Sequence, residues 1–576
     1  MNDVTVLNKV AELEIGDAVD PLSRIIELIE KRTAAATEAG EEEGKAFPHK
    51  TNGDEQLYAD QAYAGNFSKT LPHDPNTGLV EPFAYQALLK ALQTGTLESF
   101  DLVPRGGPGR LAGPLSPLMF QMEGTDSPGA LSDIVPPSVA SAGGAAEMVE
   151  LYWEAYLRDV PFIDYDTNPL IAKAVADMNQ LSAYEGPKPV TSKNLFRYPF
   201  IGCQDGPYVS QLLYQTHSLD GVQYVPMINS HFQVADPVTG DVLPLPNFPG
   251  VDYMTGFAEY LSVENGNAFT APNDPPSPIE PTTRFVRSAR DLGSLAASDS
   301  IFSIYFRAAI CLQNLGIPTD PNIPYNLDPN HRISGFNTFS TAWLFSLIGR
   351  VHETEAGAFY QKWYVHRKVR PEAFANLVDG ILTNRFTLNP SLHPDLLNSA
   401  VLPLIFERNR QLNVKRGVAS TTGSYLCPQE LVGGSPSHPS SPAGHAFTAG
   451  ACVTMLKAFF DLGTPESGLR PWPTTAPPPF QPPSIANADG SALIQTGETD
   501  LTVMGELNKL AANISEGRDM SGIHWRVSDN MLGMFLGEDV AIYLLNETGK
   551  CLPEKFKGFT LTKFDNKTTI KVGGNI

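Results

Sequence analysis

The segment AAEMVELYWEAYLRDV, residues 145–160, constrains the architecture most, because Met148, Tyr152, Ala155 and Tyr156 recur at helical spacing. It predicts a helix with one face on a core. A run of small residues, GHAFTAGA at 444–451, reads as the start of a second, buried helix. STAWLFSLIGRVHETEAGAFYQKWYVHRKV, residues 340–369, predicts one long helix, or two interrupted near Gly357. The stretches between are of the opposite kind. Residues 202–285 are rich in Gly, Pro, Asn and Asp and predict long loops with a short hairpin around Asp241. RPWPTTAPPPFQPPS, 470–484, is too proline-dense for a helix and reads as a surface insertion. The chain is therefore expected to be mainly α, with long loops laid over helices. Residues 1–60 read as an acidic N-terminal arm, TEAGEEEGKAF being a solvated connector, and 61–576 as a single α-helical domain.

Charge narrows the function classes. The 576 residues are 42% hydrophobic and 18% charged, with a formal net charge of −22. Such a chain is globular, and its acidic surface makes nucleic acid and anionic membranes poor partners. An anion-binding site must then be a local basic cluster. Neither a basic, apolar leader nor an apolar run of about 18 residues is visible, so the reading is a soluble protein, cytoplasmic by default. The five cysteines (203, 311, 427, 452 and 551) contain no Cys-x-x-Cys pair that would suggest zinc or redox work.

Three basic clusters stand out. In QKWYVHRKVRP, Lys362 and Arg370 are eight residues apart, about 80° around a helix, and His366 falls on the same side. Pro371 disfavours helical geometry at Arg370 and is expected to turn the chain. In HPSSPAGHAFTAGA, His438 and His445 bracket a turn, and Gly444 opens a helix whose first N–H groups lack partners within it, a ready site for an anion. In EGRDMSGIHWRVSDNM, Arg518 precedes His524 by six, and Ser528 and Asp529 follow it by four and five. On a regular helix only Ser528 would face His524, because five residues turn Asp529 about 140° away; Asp529 reads as a surface or capping residue. Together these groups are what a multiply charged tetrahedral oxyanion requires.

Lys-x7-Arg-Pro, then His-Pro-Ser-x-Pro-x-Gly-His, then Gly-Arg-x5-His resembles the vanadium-dependent haloperoxidases, specifically the bromoperoxidases of marine algae and cyanobacteria. AGNFSKTLPHDPNTGLVEP, AAEMVELYWEAYLRDVPF and KWYVHRKVRPEAF are similar to that family too, so the resemblance spans about 60–550, with the active-site motifs within 362–524. It implies two four-helix bundles and a vanadate cofactor. His524 would be the metal ligand; Lys362, Arg370, Arg518 and the Gly444 amide would hold the oxygens. His445 would act as acid and base, and Lys362 would polarise the oxygen that halide attacks. His438 marks a preference for bromide and iodide over chloride. The implied partners are hydrogen peroxide, halide, a small organic acceptor and further copies of the chain, with Cys551 a candidate for an inter-subunit disulfide.

Two departures from the family pattern bear on the site. Members usually carry Ser-Gly-His where this chain has Ala443-Gly444-His445, leaving Ser440, Ser441 or a water as stand-ins for the hydroxyl. Members also often place Asp four residues after the ligand histidine, where this chain has Ser528. The alternatives are an acid phosphatase-like phosphomonoesterase with His524 as nucleophile, and a degenerate, non-catalytic oxyanion-binding protein. PTDPNIPYNLDPN could hold a structural calcium through Asp320 or Asp328, or be a plain Asx-rich turn.

Overall fold

The computed structural model describes residues 20–43, 49–119, 134–219, 222–228, 251–274, 283–298, 301–326, 332–418, 420–475 and 480–576. The hairpin expected around Asp241 and the carboxylate of Asp328 lie outside these residues. Helices dominate, and the strands among the described residues pair only as short two-stranded ribbons.

Eight helices build the centre in two groups of four. One contains α1 (Ala142–Leu157), α2 (Ala289–Ser298), α5 (Val401–Arg416) and α7 (Val503–Met520). The other contains α3 (Ser303–Asn314), α4 (Thr341–Arg350), α6 (Gly444–Phe459) and α8 (Leu532–Cys551). Packing of α6 on α7 joins the groups. The small residues of α6 let α8 approach: a Cβ on Gly450 would strike the backbone of Met534, and one on Gly537 would strike that of Phe447. Both helices therefore cross at nearly backbone contact, which fixes the start of α6 against the segment leading into α8.

Some expectations need correction. α1 does not bury one face only; it is buried nearly all round, Glu147, Glu150 and Glu154 included, while Tyr156 is half-buried. The 340–369 segment breaks ahead of Gly357: α4 ends at Arg350, a 3-10 turn covers Glu353–Glu355, and Gly357 lies inside the short helix Ala356–Tyr360. The TEAGEEE part of the connector belongs to the helix Pro21–Glu43. Asp54 and Tyr58 are already fully buried, so packing begins ahead of residue 60. Within the proline-dense 470–484 segment Trp472 is buried and its backbone N–H donates to Leu501 O at 2.7 Å, so the segment is anchored at that residue. Asp320 forms an Asx turn, with Oδ1 accepting from Asn322 N (2.7 Å) and Oδ2 from Thr560 N (2.8 Å). Among the described residues, no helix is long and apolar enough to cross a membrane.

Candidate active site

Lys362 and Arg370 meet, but not on one helix. After Tyr360 the chain widens into a π-helix, Gln361–His366, closed by Arg367 N donating to Lys362 O (3.1 Å), and Arg367 then takes a left-handed conformation (φ 41°). Arg370 is extended (φ −87°, ψ 155°), and Pro371 opens the next helix, as its missing N–H and fixed φ favour. The reversal brings both side chains onto one acceptor. His438 Nδ1 lies 3.1 Å from Lys362 Nζ and 2.9 Å from Arg370 Nη2. The Pro439 carbonyl oxygen lies 3.0 Å from the same nitrogen, so Nδ1 sits among two cationic side chains and one acceptor.

Arg370 is the hub. Its Nε donates to His438 O (2.7 Å), and its Nη1 donates to Ile523 O (2.9 Å) and reaches His524 Nε2 at 3.2 Å. Arg518 comes from the last turn of α7, and Gly444 and His445 open α6. A Cβ at Gly444 would meet the Glu355 carboxylate, so a side chain here would have to displace it. Phe359 supplies an aromatic wall, 4.8 Å from Lys362 Nζ and 5.5 Å from the His438 ring.

The orientation of His524 is the main correction. A second π-helix, Arg526–Met531, follows it, with Asn530 N donating to Trp525 O (3.1 Å). The extra residue per turn rotates the expected facing by one position. Asp529, completely buried, therefore meets His524 Nδ1 at 2.8 Å, and Ser528 turns instead to Glu147. The Nδ1–H···carboxylate bond fixes the tautomer and leaves the Nε2 lone pair directed at the cations.

Lys368 and Glu147 complete the support, and both read as ordinary charges in the sequence. Lys368 Nζ lies 3.3 Å from Asp529 Oδ1, 3.1 Å from Glu147 Oε2 and 3.9 Å from the Trp525 ring centroid, and also bonds Ser528 Oγ. The Asp529 carbonyl accepts from Ala443 N (2.9 Å), tying the π-turn to the start of α6. Only the position of Lys368 between Lys362 and Arg370 hinted at a role.

Electrostatics show what the site is built to receive. Burial, then the neighbouring Arg370, pushes the Lys362 ammonium well below its usual range, and burial lowers Arg370 to about 10. Burial and then the surrounding cations push His438 and His524 well below the ordinary imidazole range, so both rings are neutral near pH 7. Lys362, Arg370 and Arg518 thus converge where Asp529 is already engaged by His524 and Lys368, and burial opposes the charge on Lys362 in particular. A bound oxyanion would relieve that repulsion, and an unprotonated Nε2 suits a metal centre; the donor set fits vanadate.

The comparisons agree with this geometry. No family model matches the chain. It is 32% identical over 550 residues to a vanadium-dependent bromoperoxidase of Ascophyllum nodosum, a match covering 93% of this chain and 90% of that protein. It is 31% identical over 599 residues to a vanadium-dependent bromoperoxidase of Corallina pilulifera, covering 91% and 95%. The chain belongs to the vanadium-dependent bromoperoxidases. Its fold superposes on that of the homohexameric second vanadate-dependent bromoperoxidase of Ascophyllum nodosum with a TM-score of 0.82 and 27% identity, over 98% of this chain and 95% of that one.

In this bromoperoxidase Ala443 is the N-cap of α6, fully buried, with no side chain to cap the helix. Ser441 cannot stand in for the missing hydroxyl without cost, because its Oγ donates to Ser528 O at 2.6 Å. The buried Ser440 Oγ has no hydrogen-bond partner among the described residues and is the better stand-in. Ala443→Ser is expected to tighten vanadate binding about tenfold or more, the worth of one hydrogen bond to a charged oxygen being about 1.5–3 kcal/mol. Vanadate titration of the metal-free variant checks this; unchanged affinity would show that the new hydroxyl only caps the helix.

Proposed function

We propose that this protein oxidises bromide and iodide with hydrogen peroxide in a vanadate-dependent reaction, releasing hypohalous acid that halogenates small organic acceptors. The observation that carries the reading is the convergence of Lys362, Arg370 and the Asp529-held His524 at one buried point. When bound, vanadate supplies a Lewis acid that activates peroxide without changing oxidation state. His524 Nε2 would hold the metal. Arg370, Arg518 and the Gly444 N–H would neutralise the surrounding oxygens with fixed charges and a dipole, and Lys362 would add an ammonium whose charge burial opposes and a bound anion favours. His445, in the first turn of α6, takes a proton from entering peroxide and returns it to the leaving oxygen. Lys362 donates to the oxygen that halide attacks, making it more electrophilic. The proposed assembly is a homo-oligomer, as in the hexameric relative.

His438 sets halide preference in this scheme. Its Nδ1 lies within hydrogen-bond distance of both Lys362 Nζ and Arg370 Nη2, so it draws Lys362 away from the reacting oxygen. Chloride, the harder halide to oxidise, suffers first. His438→Phe is expected to raise the chloride-to-bromide ratio of kcat/KM by about tenfold, equivalent to about 1.4 kcal/mol. Comparable specificity constants for the two halides in the unmodified protein would remove this role.

A paired assay tests the proposal. After incubation with orthovanadate, bromination of an activated diketone by peroxide and bromide is measured beside hydrolysis of an aryl phosphate. Bromination that requires vanadate supports the proposal; absence of bromination with and without vanadate overturns it.

A further inference from the structure

The pocket depends on a fixed distance between two segments far apart in the chain: residues 362–370, which carry Lys362 and Arg370, and the loop 433–438, which ends in His438. A third segment, residues 66–70 of the AGNFSKT stretch, touches both. Its backbone lies along the first of them, with Phe67 N donating to Arg367 O (2.9 Å), an antiparallel bridge between Asn66 and Lys368, and the Phe67 ring edge-on to Trp363 at 5.5 Å. Lys69 reaches the other. Its Nζ donates to the carbonyls of Gly433 (2.7 Å) and Ser435 (2.6 Å) and to Glu372 Oε1 (3.0 Å), so all three N–H groups of the ammonium are engaged.

Glu372 closes the clamp. It lies in the first turn of the helix Pro371–Leu382, two residues after Arg370, and its carboxylate also accepts from Ser435 N (3.0 Å) and Ser435 Oγ. The Lys69 and Glu372 side chains are 4% and 1% exposed, so salt and water screen the pair little. The loop is shaped to admit them. Gly434 takes a left-handed conformation (φ 59°), and a Cβ there would come within 3.2 Å of Lys69 Nζ, 3.3 Å of Glu372 Oε1 and 2.7 Å of Met254 Sδ. Past the clamp, the Ser437 carbonyl accepts from Ala112 N (2.8 Å) and the His438 carbonyl from Arg370 Nε. A buried ion pair is a poor source of stability beside apolar packing, but one with every donor used admits a single arrangement of its partners.

We propose that Lys69 is a positioning residue of the site: through Glu372 and the Gly433 and Ser435 carbonyls it sets how far His438 stands from Lys362 and Arg370, and with that the oxyanion affinity of the pocket and the hold of His438 on Lys362. It acts through Arg370 and the His438 loop, not by touching oxyanion or halide. The effect on halide choice rests on the role proposed for His438, whereas the effect on oxyanion affinity does not.

Titration of the metal-free full-length protein with vanadate, following bound vanadium beside thermal melting, tests the clamp. Lys69→Met combined with Glu372→Gln removes both charges and strands neither. That double variant is expected to fold and to bind vanadate about tenfold or more weakly. The same exchange at another buried pair, Lys509→Met with Glu506→Gln (2.8 Å apart in the unmodified protein), is the control: Glu506 lies twelve residues, or about 18 Å along α7, from Arg518, so melting temperature should fall while vanadate affinity holds. In the vanadate-loaded enzyme, the Lys69 and Glu372 exchange should raise the chloride-to-bromide ratio of kcat/KM, and add nothing to it in the His438→Phe background. Unchanged vanadate affinity overturns the proposal, as do equal losses in the two double variants or a ratio shift that survives in full beside His438→Phe. If His438→Phe alone moves no ratio, the role of His438 fails and the vanadate affinities still decide the clamp; an unmodified protein that binds no vanadate overturns the reading of the pocket and the clamp with it. If the double variant does not fold, Lys69→Arg takes its place with the same expected loss, because a guanidinium keeps the charge but cannot direct three donors from one nitrogen.

Discussion

His524→Ala is expected to lose bromide oxidation by about 1000-fold or more, a loss of about 4 kcal/mol of transition-state stabilisation, at any vanadate concentration. His438 cannot replace the bond, because its Nδ1 is taken up by Lys362 and Arg370. The variant should still fold. Its main intramolecular losses are the contacts to Asp529 and Arg370, and each partner keeps another: Asp529 retains Lys368, and Arg370 retains the carbonyls of Ile523 and His438. Vanadate titration with the bromination assay and circular dichroism checks both halves. Near wild-type turnover at saturating vanadate would mean that His524 is not the ligand.

Asp529→Asn is expected to have the next largest effect, about 10- to 100-fold weaker vanadate binding with a corresponding fall in turnover. The carboxylate accepts from His524 Nδ1–H and so leaves Nε2 unprotonated. An asparagine that turns its NH2 to Nδ1 stabilises the other tautomer, with the proton on the atom proposed to bind the metal. Lys368 remains paired with Glu147, so the substitution does not strand a buried cation. Comparison with Ser528→Ala separates this from a general disturbance of the π-turn. Ser528 bonds Glu147 rather than His524, and its loss should leave vanadate affinity within a few-fold of the original. Equal losses from both substitutions would contradict the assignment of Asp529.

Much of the site was legible because its cations and histidines sit at fixed spacings around signals the sequence displays openly: Pro371 after Arg370, and the Pro-Ala-Gly turn before His445. The turn at Arg370 and the helix start at Gly444 both follow from those residues. What escaped was geometry that α-helical arithmetic cannot supply. Two π-turns each insert a residue, so counting at 100° per residue placed Lys362 and Arg370 on one helix and pointed Asp529 away from His524. The supporting charges escaped for another reason. Lys368, Glu147 and Glu154 look like surface residues in any sequence, and only the packing of α1 on all sides shows that they are buried. The mainly α class was visible from apolar spacing, whereas the arrangement in two groups of four came from the family resemblance.

The most direct test of the central claim is reconstitution of the metal-free protein with increasing vanadate, following bound vanadium and bromide oxidation together. The account predicts no bromination at the start, and a rise in parallel with bound vanadium that saturates near one equivalent per chain. Bound vanadium without bromination, or bromination that does not depend on vanadium, would contradict it.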